Sequence, residues 1–303
     1  MKKIILPILL MPFLFYSCKK DSKQVTPINT SKKYQVQFGV SGFQQIILNT
    51  TKARHQENSI KNVLGATGNE LTLDYLVYDS NGNLVHTITQ PADSGKTTTV
   101  KDSLPAGTYT FCFAIGGAAR LILPRYKEIT YPDPSTGETG PDWRDTFVKQ
   151  LTLTVGSGNV NQNVTLDRLV AELEADITGP IPANATKFTI KVDKEYIYGK
   201  FSGQPDTTRG PSGIKSRYVF FPMTQSTTKF SLILLNTASP VNVELTAYDA
   251  SGSILAKATV NNVTCAVNTR TILTGALFGS QTSTFTVSLN NQWATDPYTT
   301  INF

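Results

Sequence analysis

The amino-acid sequence predicts an all-β protein in which two tandem β-sandwiches follow an N-terminal export signal. Short runs of alternating apolar and polar residues recur along most of the chain, and this period of two is typical of strands with one buried face. Gly, Pro, Asn and Asp residues separate the runs and indicate turns. The length of 303 residues agrees with two domains at roughly 150 residues each. We therefore predict a signal peptide (1–17), a flexible linker (18–33) and two sandwich domains (34–164 and 165–303).

The first segment has the layout of a secretory signal. A basic start at residues 1–3 precedes an apolar run at 4–16 and the small residue Ser17. The run is too short to cross a bilayer, which requires about 20 apolar residues. Cys18 follows directly, and this arrangement resembles a bacterial lipobox, although Leu14 lies one position further from the cysteine than is usual. The resemblance implies cleavage before Cys18 and a lipid on its thiol; the alternative is an ordinary secretory signal with an incidental cysteine.

The net charge of +6 lies in these N-terminal segments. Residues 1–33 contain seven lysines and one acidic residue, Asp21, whereas the other 270 residues carry 21 basic and 21 acidic side chains. Nucleic-acid-binding proteins carry their basic residues on a folded face or a helix, so we expect no nucleic-acid partner. Lysines beside a lipid attachment site favour an anionic membrane surface, at about 1 kcal/mol for each lysine close to it.

In the first domain, strands are predicted wherever the period of two is clear. Residues 50–69 are polar and indicate a loop or a short helix. A second polar segment, 131–146, is rich in Pro and Gly and contains Trp143. The predicted strands are 34–40, 71–78, 84–88, one that begins at 97–100, 109–115 and 147–155.

One segment of the second domain fits two structures. The apolar residues of 166–177 match a helix face and a strand face equally well, and the prolines at 180 and 182 end either. The tail around Trp293 and Tyr298 is aromatic and could be a last strand or a segment that binds a partner. The other predicted strands are 188–192, 196–198, 217–221, 230–235, 241–248, 254–260, 264–267, 271–277 and 284–289.

A short internal repeat supports the two-domain interpretation. Residues 78–85 and 248–255 share the pattern Tyr-Asp-x-x-Gly-x between an apolar strand that enters and one that leaves. Asp at the start of such a turn can accept backbone N–H groups, and Gly supplies the left-handed residue. The pattern occurs once in each half, which favours two similar sandwiches.

Two of the three cysteines lie in the predicted domains. Cys112 and Cys265 each stand inside an apolar run that is predicted to be a strand. Because buried cysteine behaves as a small apolar residue, we favour two buried free thiols over one disulfide between the domains.

Residues that could carry catalysis or hold a metal are few. The two histidines, His55 and His86, are scattered, and a catalytic zinc needs three protein ligands. The sequence has no glycine-rich phosphate loop and no nucleophile elbow. Residues 79–83 resemble the start of a calcium loop but lack the later glutamate, so a hairpin turn explains them better. We predict no catalytic residue, no metal site and no cofactor.

The polar segment around Trp143 is the candidate for surface recognition. Trp143 stands beside Arg144, with Asp142 and Asp145 on either side of the pair, and could stack on a sugar or anchor a partner protein. The alternative is a tryptophan that folds back onto its own sandwich.

Taken together, these motifs resemble the fimbrillin-like, fimbrium-anchoring lipoproteins of Bacteroidetes, the type V pilus family. The resemblance covers nearly the whole chain and extends to the segment that opens the second domain, which it assigns to a strand. The residues that carry it are Cys18, 40–43, 78–85, 104–109, 166–174 and 181–185.

The resemblance implies two transthyretin-like sandwiches of about seven strands each, held at the outer membrane by the lipid on Cys18. The implied role is a pilus anchor or an accessory or adhesin subunit without catalysis. Its partners would be other fimbrial subunits, joined by β-strand donation, and a host or bacterial surface ligand. Polymerising members of the family are cut after an arginine beyond the first strand. Arg54 is the candidate here, although anchors can stay uncut.

Two alternatives remain open at this point. A surface glycan-binding lipoprotein of a nutrient-uptake system would need several exposed aromatic residues, and only Trp143 and Trp293 are obvious. A hydrolase with Asp142 and Asp145 as acid and base would need two carboxylates on opposite sides of a substrate, about 5–9 Å apart, and neighbours on one loop seldom meet that condition.

Overall fold

The computed structural model describes residues 32–42, 71–93, 95–117, 120–131, 143–208, 214–279 and 285–290, and most of them lie in β-strands. A single 3-10 turn, Pro124–Tyr126, is the one helical element in these ranges. The described residues contain no helix with the length and apolar character needed to cross a membrane. In chain order the strands are β1 (Lys33–Ser41), β2 (Leu71–Tyr78), β3 (Leu84–Ala92), β4 (Thr98–Pro105), β5 (Gly107–Gly117), β6 (Leu121–Leu123), β7 (Glu128–Thr130), β8 (Phe147–Val155), β9 (Val160–Thr165), β10 (Asp167–Arg168), β11 (Ala171–Thr178), β12 (Lys187–Tyr196), β13 (Gly199–Lys200), β14 (Ile214–Pro222), β15 (Lys229–Leu234), β16 (Val241–Tyr248), β17 (Ile254–Val263), β18 (Arg270–Ala276) and β19 (Phe285–Asn290).

The first sandwich packs a three-stranded sheet, in the order β4-β1-β9, on a five-stranded sheet, β10-β8-β5-β2-β3. The two sheets share one apolar core, with Val36 and Phe38 on one side and Tyr75, Phe111 and Phe113 on the other. The ring of Phe38 lies 5.0 Å from that of Phe111 and 5.1 Å from that of Phe113, in edge-to-face contacts. The core therefore forms between the alternate side chains that the period of two predicts.

The second sandwich repeats this topology. Its sheets run β15-β11-β18-β19 and β14-β12-β16-β17, around a separate apolar core. β11 pairs with β15 antiparallel and with β18 parallel, just as β1 pairs with β4 and β9. In the same way β12, β14, β16 and β17 occupy the places of β2, β3, β5 and β8. The predicted all-β fold of two similar seven-stranded sandwiches is confirmed, with β10 and β19 as additions.

A third sheet and a third core lie where the two halves meet. The small sheet β13-β7-β6 combines strands from both sides of the predicted domain boundary. The core beneath it contains Leu76 and Trp143 from the first half and Leu169, Tyr196 and Leu235 from the second. β2 is buried on both faces for this reason, since one face lies in the first core and the other in this junction core. β10, just beyond the predicted boundary, pairs with β8 of the first sandwich.

The two repeated turns have the predicted geometry but lie at different places in the topology. Asp79 Oδ1 accepts the backbone N–H groups of Asn81 and Asn83, and Asp249 Oδ1 accepts those of Ser251 and Ser253. The glycine of each turn has a positive φ. However, the first turn joins β2 to β3, whereas the second joins β16 to β17, which correspond to β5 and β8. The repeat thus predicted two sandwiches correctly, although its two copies join strands that do not correspond in the two topologies.

The structure corrects two predicted strands, and it decides between helix and strand for the ambiguous segment 166–177. Residues 171–178 form β11, so the strand interpretation of the ambiguous segment is right. The predicted strand at 264–267 is wrong, because the chain turns there and Asn268 adopts a positive φ of 56°. The predicted strand at 196–198 does not exist separately, since Tyr196 is the last residue of β12.

Both cysteines of the sandwiches are free and buried, as the sequence favoured. Burial raises the pKa of the Cys112 and Cys265 thiols to about 12 each. Only the thiolate reacts with alkylating reagents. At about pH 8, where an ordinary thiol begins to ionise, we expect neither to react in a folded variant with Cys18 replaced by serine.

Both thiols should react once that variant is unfolded in guanidinium chloride. Counting labelled thiols by mass spectrometry checks the prediction. Rapid labelling of either thiol in the folded protein would contradict its burial.

Candidate functional site

Among the described strands, β1 is the nearest in sequence to Cys18, the predicted lipid site. It begins at Lys33, 15 residues after Cys18, so an extended linker could span at most about 50 Å. Cys18 and Arg54 both lie outside the described residues. β1 is therefore the first described strand after the linker that is predicted to connect the protein to the membrane.

β1 occupies the middle of its sheet. Residues 33–40 pair antiparallel with β4, and residues 36–41 pair parallel with β9. Its three core side chains, Val36, Phe38 and Val40, are 0% exposed. Both backbone edges and one face of the strand are thus covered by the first sandwich.

Close local contacts fix β1 against its neighbours. A Cβ atom at Gly39 would lie 2.7 Å from Asn163 Oδ1, so only glycine fits there without a shift of that side chain. The backbone N–H of Gln35 donates to Asn159 Oδ1 at 3.1 Å. At the other end Gly42 has φ +83°, a conformation that favours glycine, and the chain leaves the sheet there.

A carboxylate on β4 ties this sheet to the opposite one. Tyr75 Oη donates to Asp102 Oδ2 at 3.1 Å, and His86 Nδ1 lies 2.7 Å from Asp102 Oδ1. Burial, together with the charge of Asp102, raises the pKa of Tyr75 well above its usual range. His86 therefore contacts a carboxylate of the opposite sheet in the first sandwich.

The surface-recognition hypothesis for Trp143 is corrected by its burial. The indole is 1% exposed, and its Nε1–H donates to the carbonyl oxygen of Tyr196 at 2.9 Å. Its ring packs edge-to-face on Tyr131 at 5.4 Å, and a Cβ atom at Gly199 would lie 3.2 Å from it. Trp143 therefore adopts the alternative in which it folds back onto the protein, as part of the junction core. Arg144, beside it, is partly buried.

The neighbouring carboxylate, Asp145, is engaged in a buried ion pair. Arg168 donates from Nε and Nη2 to its two oxygens at 2.7 and 3.1 Å, and both side chains are 1% exposed. Arg168 Nη1 also donates to Asn268 Oδ1 of the second half at 2.6 Å. This geometry holds Asp145 in a structural role and removes it as an acid–base candidate, while Asp142 lies outside the described residues.

Sequence reasoning missed the residues that build this junction. Arg168 and Asp145 are 23 positions apart, and Arg168 and Asn268 are 100 apart. Glu195, which is fully buried, accepts the backbone N–H groups of Leu235 and Asn236. No local pattern marked these residues, since Asp145 lies outside the strands and Arg168 and Glu195 stand beside other charged residues in β10 and β12.

The comparisons with known proteins concern family and fold. Residues 123–302 match a family of unknown function, DUF6562. The match begins in the small junction sheet and continues beyond β19. No curated relative matches the chain.

Several solved structures resemble the fold at low sequence identity. The fimbrial anchor protein from Porphyromonas gingivalis is 13% identical, with a TM-score of 0.49 over 86% of this chain and 98% of that one. The tip fimbrial protein from the same organism is 12% identical, with a TM-score of 0.46 over 85% and 99%. A fimbrial assembly protein from Parabacteroides distasonis is 13% identical, with a TM-score of 0.41 over 86% and 99%.

Proposed function

The chain belongs to the DUF6562 family, whose function is not known, and we propose that it is a lipid-anchored, non-catalytic subunit of a fimbrium at the cell surface. In this role Cys18 carries the lipid and the residues from 19 up to the start of β1 at Lys33 form the tether to the outer membrane. The two sandwiches carry contacts with other fimbrial subunits or with a surface ligand.

The observation that carries the proposal is the position of β1. The strand that directly follows the tether is built into the centre of a sheet and contributes three fully buried side chains to the core. A membrane tether attached to such a strand holds the whole sandwich, whereas a tether attached to a loose terminal segment would hold only that segment. This arrangement suits an anchor.

The same position suits assembly by strand donation. Removal of β1 would open a groove between β4 and β9, with two backbone edges and three apolar sites that a donated strand could fill. Residues 43–70, which contain Arg54, connect β1 to β2, so a cut at Arg54 would leave β1 held only by its pairing and by its core side chains. Such a cut would also break the covalent link between the lipid and the rest of the chain. We therefore propose that this subunit keeps residues 18–54 and acts as an anchor rather than as a repeating subunit.

Replacing Cys18 by serine tests the proposal. In the native host the unmodified protein is expected in the membrane fraction with an acylated N-terminus at Cys18. The Cys18→Ser variant should move to the soluble fraction, and the fimbriae of those cells should be shed into the medium. A Cys112→Ser variant is the control, because it leaves the lipid site intact and should stay with the membrane. Cell fractionation, intact mass and electron microscopy measure these outcomes.

Two results would contradict the proposal. The first is an acyl-free protein with Cys18 intact, which would remove the anchor. The second is a mature chain that begins after Arg54, which would make the protein a processed, polymerising subunit. The glycan-binding alternative loses its main described residue, since Trp143 is buried.

A further inference from the structure

The outer face of the sheet β14-β12-β16-β17 contains a polar cleft of about 210 Å³. Side chains from three neighbouring strands line it: Lys191 and Asp193 of β12, Asn242 and Glu244 of β16, and Thr259 of β17. Val192 and Val243, which alternate with these residues, are fully buried in the second core. Because successive side chains of a strand point to opposite faces, the cleft lies on the outer surface of the second sandwich.

Hydrogen bonds hold the floor of the cleft, Asp193, Asn242 and Glu244, in one arrangement. Asp193 accepts the backbone N–H of Asn242 on Oδ1 at 2.7 Å and the side-chain amide of Asn242 on Oδ2 at 2.9 Å. Asn242 Oδ1 in turn accepts the backbone N–H of Asn262 at 3.2 Å. Glu244 Oε2 lies 2.8 Å from Lys257 Nζ. A carboxylate has about four lone-pair sites, so the floor presents fixed acceptors that a ligand can still use.

Two exposed side chains at the rim, Lys191 and Thr259, make no hydrogen bond or ion pair with the part of the chain that the structure describes. Glu244 lies directly opposite Lys191 on one side and Thr259 on the other. Opposed side chains of paired strands have Cβ atoms about 4.5–5.5 Å apart. An ammonium group donates hydrogen bonds, and a hydroxyl group both donates and accepts them. The rim therefore adds both kinds of hydrogen-bonding group beside a carboxylate of the floor.

Two β-bulges shape the sheet at this cleft. β12 shifts register against β14 beside Asp193, and β17 shifts register against β16 beside Asn242. Lys194 and Asn262 lie in these bulges and have φ values of 57° and 58°, which are uncommon for residues other than glycine. Bulges often lie next to functional sites, where they redirect a side chain. Here Asp193 faces the cleft although Glu195, two residues further on, is fully buried.

The chemistry of the cleft indicates an uncharged ligand that is rich in hydroxyl groups. Asp193 and Glu244 can accept hydrogen bonds from hydroxyl groups, and Lys191 can donate to hydroxyl and ring oxygens. The apolar stems of Lys191 and Lys257 can lie against C–H groups of the same ligand. A strongly charged ligand would instead meet a like charge in the cleft, because both signs are present.

We propose that this cleft binds one ring of a neutral saccharide, as part of a surface glycan. Its volume is below the roughly 300–1,000 Å³ of sites for drug-sized ligands, so the cleft suits a single ring rather than a long chain. The inference deepens the proposed function, because it names the class of surface ligand that the second sandwich contacts. It rests on that function only for the location at the cell surface.

Titration with simple sugars tests the proposal in the full chain with Cys18 replaced by serine. The probes are the methyl glycosides of glucose, galactose, mannose and N-acetylglucosamine, with glucuronate as the charged comparison. We expect at least one of the four neutral sugars to cause saturable NMR shifts of the backbone amides of Asp193 and Asn242, with a Kd in the millimolar range. Lys191→Met/Thr259→Val removes both polar groups of the rim and should raise that Kd at least ~10-fold.

Lys101→Met is the matched control, because Lys101 is an exposed strand lysine of the first sandwich and its loss should leave the Kd unchanged. Urea denaturation of each variant checks that the fold is retained. The proposal is overturned if none of the four neutral sugars causes a saturable shift at the cleft, or if the double variant keeps the original Kd. Tighter binding of glucuronate than of the neutral sugars would overturn it as well and would assign the cleft to an anionic ligand. The chain carries no lipid on residue 18 in these measurements, so failure of the anchor role would leave their outcome unchanged.

Discussion

Replacing Arg168 by methionine is expected to lower the free energy of unfolding by about 3–5 kcal/mol, because the buried carboxylate of Asp145 loses its guanidinium. Both side chains are 1% exposed, so water cannot replace the lost partner. The guanidinium also lies 4.7 Å from the ring of Phe147 and donates to Asn268 of the second half. Urea denaturation followed by circular dichroism measures the loss.

A neighbouring ion pair between β8 and β10 is the matched control. Lys149 lies 2.8 Å from Asp167, but these side chains are 39% and 65% exposed. Lys149→Met should therefore cost less than about 1 kcal/mol, as exposed pairs do. The double variant Arg168→Met/Asp145→Leu should regain much of the stability, since it removes both buried charges. Equal losses for Arg168→Met and Lys149→Met would contradict this account of the junction.

Truncation of Trp143 to alanine is expected to cost about 3–5 kcal/mol, the range found for large aromatic side chains in cores. The indole is 1% exposed and packs between Tyr131 and the backbone of Gly199. Its removal opens a cavity between the two sandwiches and also removes the donor to the carbonyl oxygen of Tyr196. Circular dichroism is the suitable probe, because the variant lacks the fluorescent reporter at this site.

Trp143→Phe separates the effect of the cavity from the effect of the lost hydrogen bond. Phenylalanine keeps much of the ring volume but cannot donate a hydrogen bond, so the carbonyl oxygen of Tyr196 is left without the indole. We expect a loss of about 1–3 kcal/mol, the cost of an unsatisfied buried polar group. If Trp143→Ala were as stable as the unmodified protein, the junction core would not couple the two halves.

The strands of both sandwiches could be predicted because their side chains alternate. The limits 147–155 and 241–248 agree with β8 and β16, where apolar and polar residues alternate over 151–155 and 241–246 and a turn follows each strand. β9 was missed because, in residues 160–165, only Val160 and Val164 are apolar. β6, β7 and β13 were missed because two or three residues carry no measurable period.

The candidate site was harder to predict because its contacts are long-range. A segment rich in Pro and Gly around Trp143 predicts exposure, yet the indole is held by Tyr196, 53 residues away. No local sequence pattern can indicate a contact between residues that are so far apart in the chain. Cys18 and Arg54 lie outside the described residues, so their assignments stay predictions. The pairing of β1 with β9 is parallel, and its partner is more than 120 residues away, which no turn signal can indicate.

The central position of β1 has a mechanical consequence in the proposed anchor. Tension from a fimbrium pulled away from the cell would reach the linker through this strand and act along its length. The hydrogen bonds to β4 and β9 lie across that direction on both sides, so they would be loaded together in shear rather than peeled one after another. An anchor built in this way should resist sudden pulling better than its equilibrium stability alone would suggest.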